Sequence, residues 1–213
     1  MRIGVLGTGV VGQTMGAALV NLGHDVMMGA RSADNAKALA FRDRTGGRTG
    51  TFADAAAFGE IVVHATRGGT AIEVLQSAGA ANLTGKVLID VSNPLDFSKG
   101  FPPSLSVSPA DSLGQIIQRT FPDALVVKTL NTVTASVMVE PARVPGPHTV
   151  FVSGNDKVAK GRVMDLLRSF GWQSILDLGD IGTARGTEQM LPLWQSLYAV
   201  LGTGEFNFAL MKK

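Results

Sequence analysis

The 213-residue chain has no cysteine. That excludes disulfides, thiolate nucleophiles and cysteine-bound metals, and it is compatible with a cytoplasmic protein. Charge is sparse too: 17% of residues are charged, and 19 basic against 17 acidic residues leave a formal net charge of +2. So small a surplus does not argue for a polyanionic partner, and no basic stripe interleaved with aromatics marks a nucleic-acid face. Three dispersed histidines without a carboxylate cluster suggest no metal site. No apolar run approaches the length needed to span a bilayer, and no basic segment with an apolar core and cleavage site precedes the first strand. No nucleic-acid or membrane partner is therefore expected, and a soluble cytoplasmic protein is. Gly-x-Ser-x-Gly elbows and a phosphate-loop lysine are missing as well. The lone tyrosine, Tyr198, has no lysine four residues on, which removes a Tyr-x-x-x-Lys proton relay.

Glycine is plentiful, at 26 residues, and 45% of the chain is hydrophobic, enough for one compact α/β domain. Residues 2–6 read as a buried strand, and 10–22 as a helix stopped at Asn21-Leu22-Gly23. A second apolar run covers His24 to Met28. Ser32 offers an N-cap for a helix reaching about Arg44, which Gly46-Gly47 breaks. Further strands are expected over 61–65, 86–91, 124–130, 148–153 and 173–177, with helices near 70–78, 112–120 and 156–170. The Pro-, Ser- and Gly-rich stretch 92–111 reads as a loop, and 183–209 as helix interrupted near Pro192 and Gly202–Gly204. This alternation predicts a Rossmann-type, doubly wound, mainly parallel sheet with a small C-terminal helical extension. The division is 1–178 for the NAD(P)-binding domain and 179–213 for a helical segment packing on it or on a partner subunit.

Gly7-Thr8-Gly9-Val10-Val11-Gly12 stands between the first strand and the first helix, the context that gives G-x-G-x-x-G its meaning. Gly7 permits the tight turn, Gly9 lets backbone approach a pyrophosphate, and Gly12 allows close helix–strand packing. The helix N-terminus adds free N–H groups for phosphate. After the second strand an NAD enzyme places a carboxylate for the ribose hydroxyl. Here the chain reads Met27-Met28-Gly29-Ala30-Arg31-Ser32. Arg31 can form charge-assisted bonds to a 2′-phosphate, with Ser32 adding a hydroxyl and the N–H of a helix start, so NADP is expected over NAD.

With that loop and turn, and with Asp90-Val91-Ser92-Asn93-Pro94-Leu95 and Val127-Lys128-Thr129-Leu130-Asn131-Thr132 at later strand ends, the chain resembles the NADPH-dependent reductases of the deazaflavin coenzyme F420. It also resembles the related reductase domain of the STEAP metalloreductases. The stretch from Leu176-Asp177-Leu178-Gly179-Asp180 through Gly204-Glu205-Phe206 is similar to the family's small C-terminal part. The resemblance implies that Thr8 to Val11 wrap the pyrophosphate and that Arg31 and Ser32 hold the 2′-phosphate. Ala65, Thr66 and Arg67 would run along the cofactor, while Asn93, Leu95, Asn131 and Ala135 frame the nicotinamide. Two positions depart from the family pattern: Ala30, often Ser or Thr, and Asn35, where a lysine is usual, with Lys37 nearby on another face.

No side chain is assigned as catalytic. Hydride transfer between stacked rings needs orientation and water exclusion more than an acid or base. His64, at a strand end on the expected cofactor side, is the one histidine placed for a proton role. Trp194, Leu197, Tyr198, Val200 and Leu201 form an apolar face expected to make a homodimer interface and to roof the nicotinamide pocket. The implied activity is hydride transfer between NADPH and a flat small-molecule acceptor, coenzyme F420 or a flavin. The alternative is an NADP-binding sensor without turnover, which could fill the pocket an enzyme must keep open.

Overall fold

The computed structural model describes residues 1–213. The first half of the chain runs β1 (Arg2–Leu6), α1 (Val10–Asn21), β2 (Asp25–Ala30), α2 (Ala36–Thr45), β3 (Arg48–Thr51), α3 (Phe52–Phe58), β4 (Ile61–His64), α4 (Ala71–Ala78), α5 (Ala80–Leu83) and β5 (Val87–Asp90). A hairpin of β6 (Leu95–Asp96) and β7 (Ser104–Leu105) follows, then α6 (Leu113–Thr120), β8 (Leu125–Thr129) and α7 (Ala135–Val139). The chain continues through β9 (Thr149–Gly154), α8 (Lys157–Ser169), β10 (Ser174–Gly179), α9 (Ala184–Gln189) and α10 (Leu191–Leu201).

Eight strands form one sheet in the order β10-β9-β8-β5-β4-β1-β2-β3. β4 and β5 are buried at every position, as continuous apolar runs in a sheet covered on both faces must be. On one face Val5, Val63, Ile89 and Val127 pack with Met15 and Leu19 of α1 and Leu167 of α8. On the other, Leu6, Val62, Leu88 and Val126 pack with Ala55 of α3, Leu75 of α4 and Ile117 of α6. β1 pairs in parallel with β2 on one side and β4 on the other. The strand order therefore reverses at β1, and a crevice opens beyond its carboxyl end, where open α/β sheets bind ligands.

Several local expectations change. The segment 48–58, unread in the sequence, is β3 and α3, with Thr51 and Asp54 in a reciprocal capping box. Ser32 does not cap α2: the Asn35 side chain accepts from the N–H groups of Lys37 and Ala38, so Ser32 lies in an exposed turn before the helix. The stretch 92–111 holds the β6–β7 hairpin within its loop. β9 runs antiparallel to β8, and β10 parallel to β9, because the only α-helix between β8 and β9 is five residues long, too short to return the chain along the sheet. The expected helix to Ala209 stops at Leu201, where Gly202 takes a left-handed C-cap conformation, φ 66°. Beyond it the tail has no regular secondary structure, and the N–H of Thr149 donates to the Phe208 carbonyl at 2.9 Å.

Candidate functional site

The glycine loop leaves β1 at the crevice. Gly7 sits at φ 124°, a region closed to other residues, and a Cβ there would stand 2.5 Å from the Ala65 carbonyl oxygen. At Gly12 a Cβ would collide with the carbonyl of Gly7, so α1 can approach the loop only without a side chain. Gly9 is different: a Cβ would meet nothing within 4 Å. It is the N-cap of α1, has no side chain with which to cap, and the first turn carries no acidic residue. Its surroundings are therefore an open place beside unclaimed N–H groups at a helix N-terminus, which fits a pyrophosphate.

At the end of β2, Arg31 and Ser32 are both exposed, and Arg31 is in no ion pair. Asp25, at the far end of the strand, is held by Arg48 at 3.0 Å. Thr8, Gly9, Val10 and Lys37 share the lining of an open groove of about 720 Å³ between α1 and α2. The position usually given to lysine is Asn35, whose oxygen is spent on the cap of α2. Lys37, in the first turn of α2, lines the same groove as the glycine loop.

Ala65, Thr66 and Arg67 follow β4, with Ala65 buried, Thr66 half-buried and Arg67 exposed. The Thr66 methyl lies 3.1 Å from the position of a Cβ on Gly7, so this turn sits against the glycine loop. Asn93 and Leu95 follow β5, and Asn131 follows β8. Asn93 donates through Nδ2 to the Asn131 carbonyl at 2.9 Å, while Asn131 donates through Nδ2 to the Thr187 carbonyl of α9 at 3.2 Å. The Asn93 Oδ1 is buried and has no partner. Leu130 adopts φ 59°, at a cost of about 1–2 kcal/mol for a residue with a Cβ. The turn holds because Leu130 is buried and both neighbouring segments are tied down. Ala135 opens α7, and a Cβ on Gly204 of the tail would lie 3.0 Å from Cβ of Thr134. All these residues gather at the carboxyl ends of the parallel strands. α10 buries Leu191 and half-buries Leu197 but leaves Leu193, Tyr198, Val200 and Leu201 exposed, and Trp194 stacks on Tyr198 and Phe206.

Beneath that edge lies a group of ionisable residues that the sequence reading did not assemble. His64, Asp90 and Lys128 are register partners on adjacent strands, and all three are buried. Asp90 Oδ1 meets His64 Nδ1 at 2.9 Å and accepts from the Ser92 hydroxyl at 2.7 Å. Its Oδ2 accepts from Lys128 Nζ at 2.8 Å. Lys128 also reaches Glu188 Oε1 at 2.9 Å, and Glu188 accepts from the N–H groups of Leu113 and Gly114 at the start of α6, the helix end that favours negative charge. Burial by itself would raise the Asp90 carboxyl, but Lys128 and then His64 hold it well below the carboxylate range. Burial would likewise lower Lys128, yet Asp90 and Glu188 together hold it above the usual lysine value. The one available signal was a polar residue in phase at the ends of three apolar strands. Glu188 had none, since α9 meets Lys128 only in three dimensions.

No helix is long and apolar enough to cross a membrane, and no group of His, Asp and Glu could hold a metal ion. The family model for coenzyme F420-dependent NADP oxidoreductases matches residues 2–94. Metalloreductase STEAP3 of Rattus norvegicus is 27% identical over 198 residues, covering 91% of this chain and 38% of that protein. The F420-dependent NADP reductase of Methanocaldococcus jannaschii is 29% identical over 126 residues, 57% of this chain and 56% of that protein. The chain therefore spans less than two thirds of either curated relative. The solved structure of a candidate F420-dependent NADP-reductase from Arthrobacter sp. fb24 is 51% identical, covers both chains in full and superposes with a TM-score of 0.95. Imine reductase BcSIRED from Bacillus cereus, at 20% identity, TM-score 0.66, 94% of this chain and 63% of that one, shares the fold alone. On the full-length match, the glycine loop and the strand-end segments, this chain belongs to the coenzyme F420-dependent NADP oxidoreductase family.

Proposed function

We propose that the protein transfers a hydride between NADPH and a flat, two-electron acceptor, with coenzyme F420 the first candidate and a flavin the second. The observation that carries this is the open cradle at Gly9, against the uncapped start of α1 and one strand away from the free guanidinium of Arg31. A carboxylate at the Arg31 position would repel a 2′-phosphate, whereas the guanidinium attracts it. When bound, NADPH supplies the hydride. Thr8 to Val11 then hold the pyrophosphate, Arg31 and Ser32 the 2′-phosphate, and Asn93, Leu95, Asn131 and Ala135 border the nicotinamide, with Ala65, Thr66 and Arg67 alongside.

The exposed Leu193, Tyr198, Val200 and Leu201 of α10 are the surface we assign to a homodimer, in a cytoplasmic protein, and sedimentation tests that assignment. The function is tested by NADPH oxidation against coenzyme F420, flavins, quinones and ferric chelates. Turnover with F420 or a flavin supports the reading. Tight NADPH binding without turnover by any acceptor makes the protein an NADP sensor instead.

A further inference from the structure

His64 is buried behind the crevice, and both of its ring nitrogens are engaged. Nδ1 faces Asp90 Oδ1 at 2.9 Å, and Nε2 faces Thr66 Oγ1 at 2.7 Å. This is the hydroxyl–imidazole–carboxylate order of a hydrolase triad, placed at the end of β4 in a chain with no nucleophile elbow. Asp90, kept ionised by Lys128, can only accept, so Nδ1 carries a hydrogen. The exchangeable nitrogen is then Nε2. It accepts the Thr66 hydroxyl hydrogen when the ring is neutral and donates to the Thr66 oxygen when the ring is protonated. Thr66 itself is half-buried, with its methyl toward Gly7 of the glycine loop and its hydroxyl on His64, so the residue lies between the buried histidine and the loop.

The geometry points to a proton relay in which Thr66 is the catalytic donor to the substrate, His64 supplies it, and Asp90 positions His64. This inference rests on the hydride-transfer reading above and adds the proton that such a transfer requires. Reducing a flat conjugated acceptor takes a hydride from NADPH, at C5 of a deazaflavin or N5 of a flavin, and a proton at the nitrogen conjugated with it, N1. The hydride brings both electrons, and NADPH leaves as NADP⁺. As the Thr66 O–H bond breaks and the substrate N–H bond forms, the Nε2–H of imidazolium re-forms the hydroxyl and leaves His64 neutral. A solvent proton returns through Thr66 once the crevice opens. The groups facing His64 are Asp90 from β5 and Thr66 from its own turn, with Lys128 from β8 and Glu188 from α9 beyond Asp90. With His64 protonated these four charges cancel, and with it neutral they sum to minus one.

The test compares wild type, Thr66→Val and Thr66→Ser as full chains, with coenzyme F420 and flavin as acceptors. Thr66→Val should slow single-turnover NADPH oxidation by about 10²-fold or more, weaken NADPH by far less than that factor, and abolish the rate difference between light and heavy water. Thr66→Ser should restore most of the rate. Independently of turnover, nitrogen-labelled histidine gives only three side chains to resolve. NMR should find His64 hydrogen-bearing at Nδ1, with an Nε2 resonance that moves in Thr66→Val. Equal rates in Thr66→Val and wild type would sink the relay while leaving hydride transfer intact. A rate loss matched by lost NADPH affinity, or no rescue by serine, would reduce Thr66 to a binding residue. An Nε2 signal indifferent to Thr66→Val would remove the shared hydrogen bond. Failure of wild type with every acceptor would instead bring down the hydride-transfer reading, and the relay with it.

Discussion

Lys128 donates to Asp90 across 2.8 Å with both side chains wholly excluded from solvent, tying the ends of β8 and β5 directly under the crevice. The same ammonium reaches Glu188, so one cation serves two carboxylates and anchors α9. Lys128→Met leaves Asp90 and Glu188 buried without their partner. We expect a loss of about 3–5 kcal/mol, read as a Tm fall of roughly 6–20 °C for a domain of this size. A loss below about 1 kcal/mol in chemical denaturation would mean that water reaches the pair.

The same pair sets an acid limit. Asp90 titrates lower folded than its usual 3.8, so its contribution is complete above the ordinary carboxylate range and is lost as pH falls through and below it. Lys128 is shifted upward, so its contribution is kept through neutral pH and lost only on passing above the lysine range. Urea denaturation from neutral pH downward should show the acid loss, and Asp90→Asn, though less stable at neutral pH, should flatten it. An unchanged acid slope in that variant would assign the loss to other carboxylates.

On the proposed reading, Arg31 sets the choice between NADPH and NADH. Arg31→Ala should weaken NADPH by about 1.5–3 kcal/mol per charge-assisted bond removed and leave NADH nearly unchanged. Titrating both nucleotides into both proteins checks it, and equal losses would free Arg31 of the 2′-phosphate.

Two glycines of one loop should fail differently. Gly9→Ala meets open space, so the variant should melt like wild type yet bind NADPH poorly, because the new methyl occupies the pyrophosphate's place. Gly12→Ala meets the Gly7 carbonyl and should cost about 1–3 kcal/mol of stability. Normal NADPH affinity in Gly9→Ala would make the motif a packing device only.

Asn131 is held to α9 by its side chain and to Asn93 by its carbonyl. Asn131→Ala breaks the first tie and keeps the second, letting the turn after β8 relax by a fraction of an ångström to an ångström. A displacement on that scale costs on the order of 10²-fold in rate, with NADPH affinity retained and the primary isotope effect of deuterated NADPH preserved. A change confined to affinity would place Asn131 away from the reacting ring.

Most of the fold was legible because its signals are local. The apolar runs of β1, β4, β5 and β8 are long and bounded by turns, and the G-x-G-x-x-G loop lies between strand and helix as its chemistry demands. β3 and α3 escaped because four residues of Arg48–Thr51 carry too little alternation to stand out. The start of α2 was misplaced because Ser32 and Asn35 are both good caps, and only the folded chain shows which oxygen meets the N–H groups.

The sequence by itself determined β1, β2, β4, β5 and β8, their alternation with helices and the place of the glycine loop between β1 and α1, since each signal lies within a few residues. Tertiary structure alone decided that β9 runs against β8, that the tail beyond Leu201 meets the start of β9 at Thr149, and that Thr66, His64, Asp90, Lys128 and Glu188 form one connected chain. The physical reason is register. His64, Asp90 and Lys128 come from strands 26 and 38 positions apart in sequence and become neighbours only when parallel pairing aligns their ends. Glu188 joins them only when α9 folds back beneath the sheet.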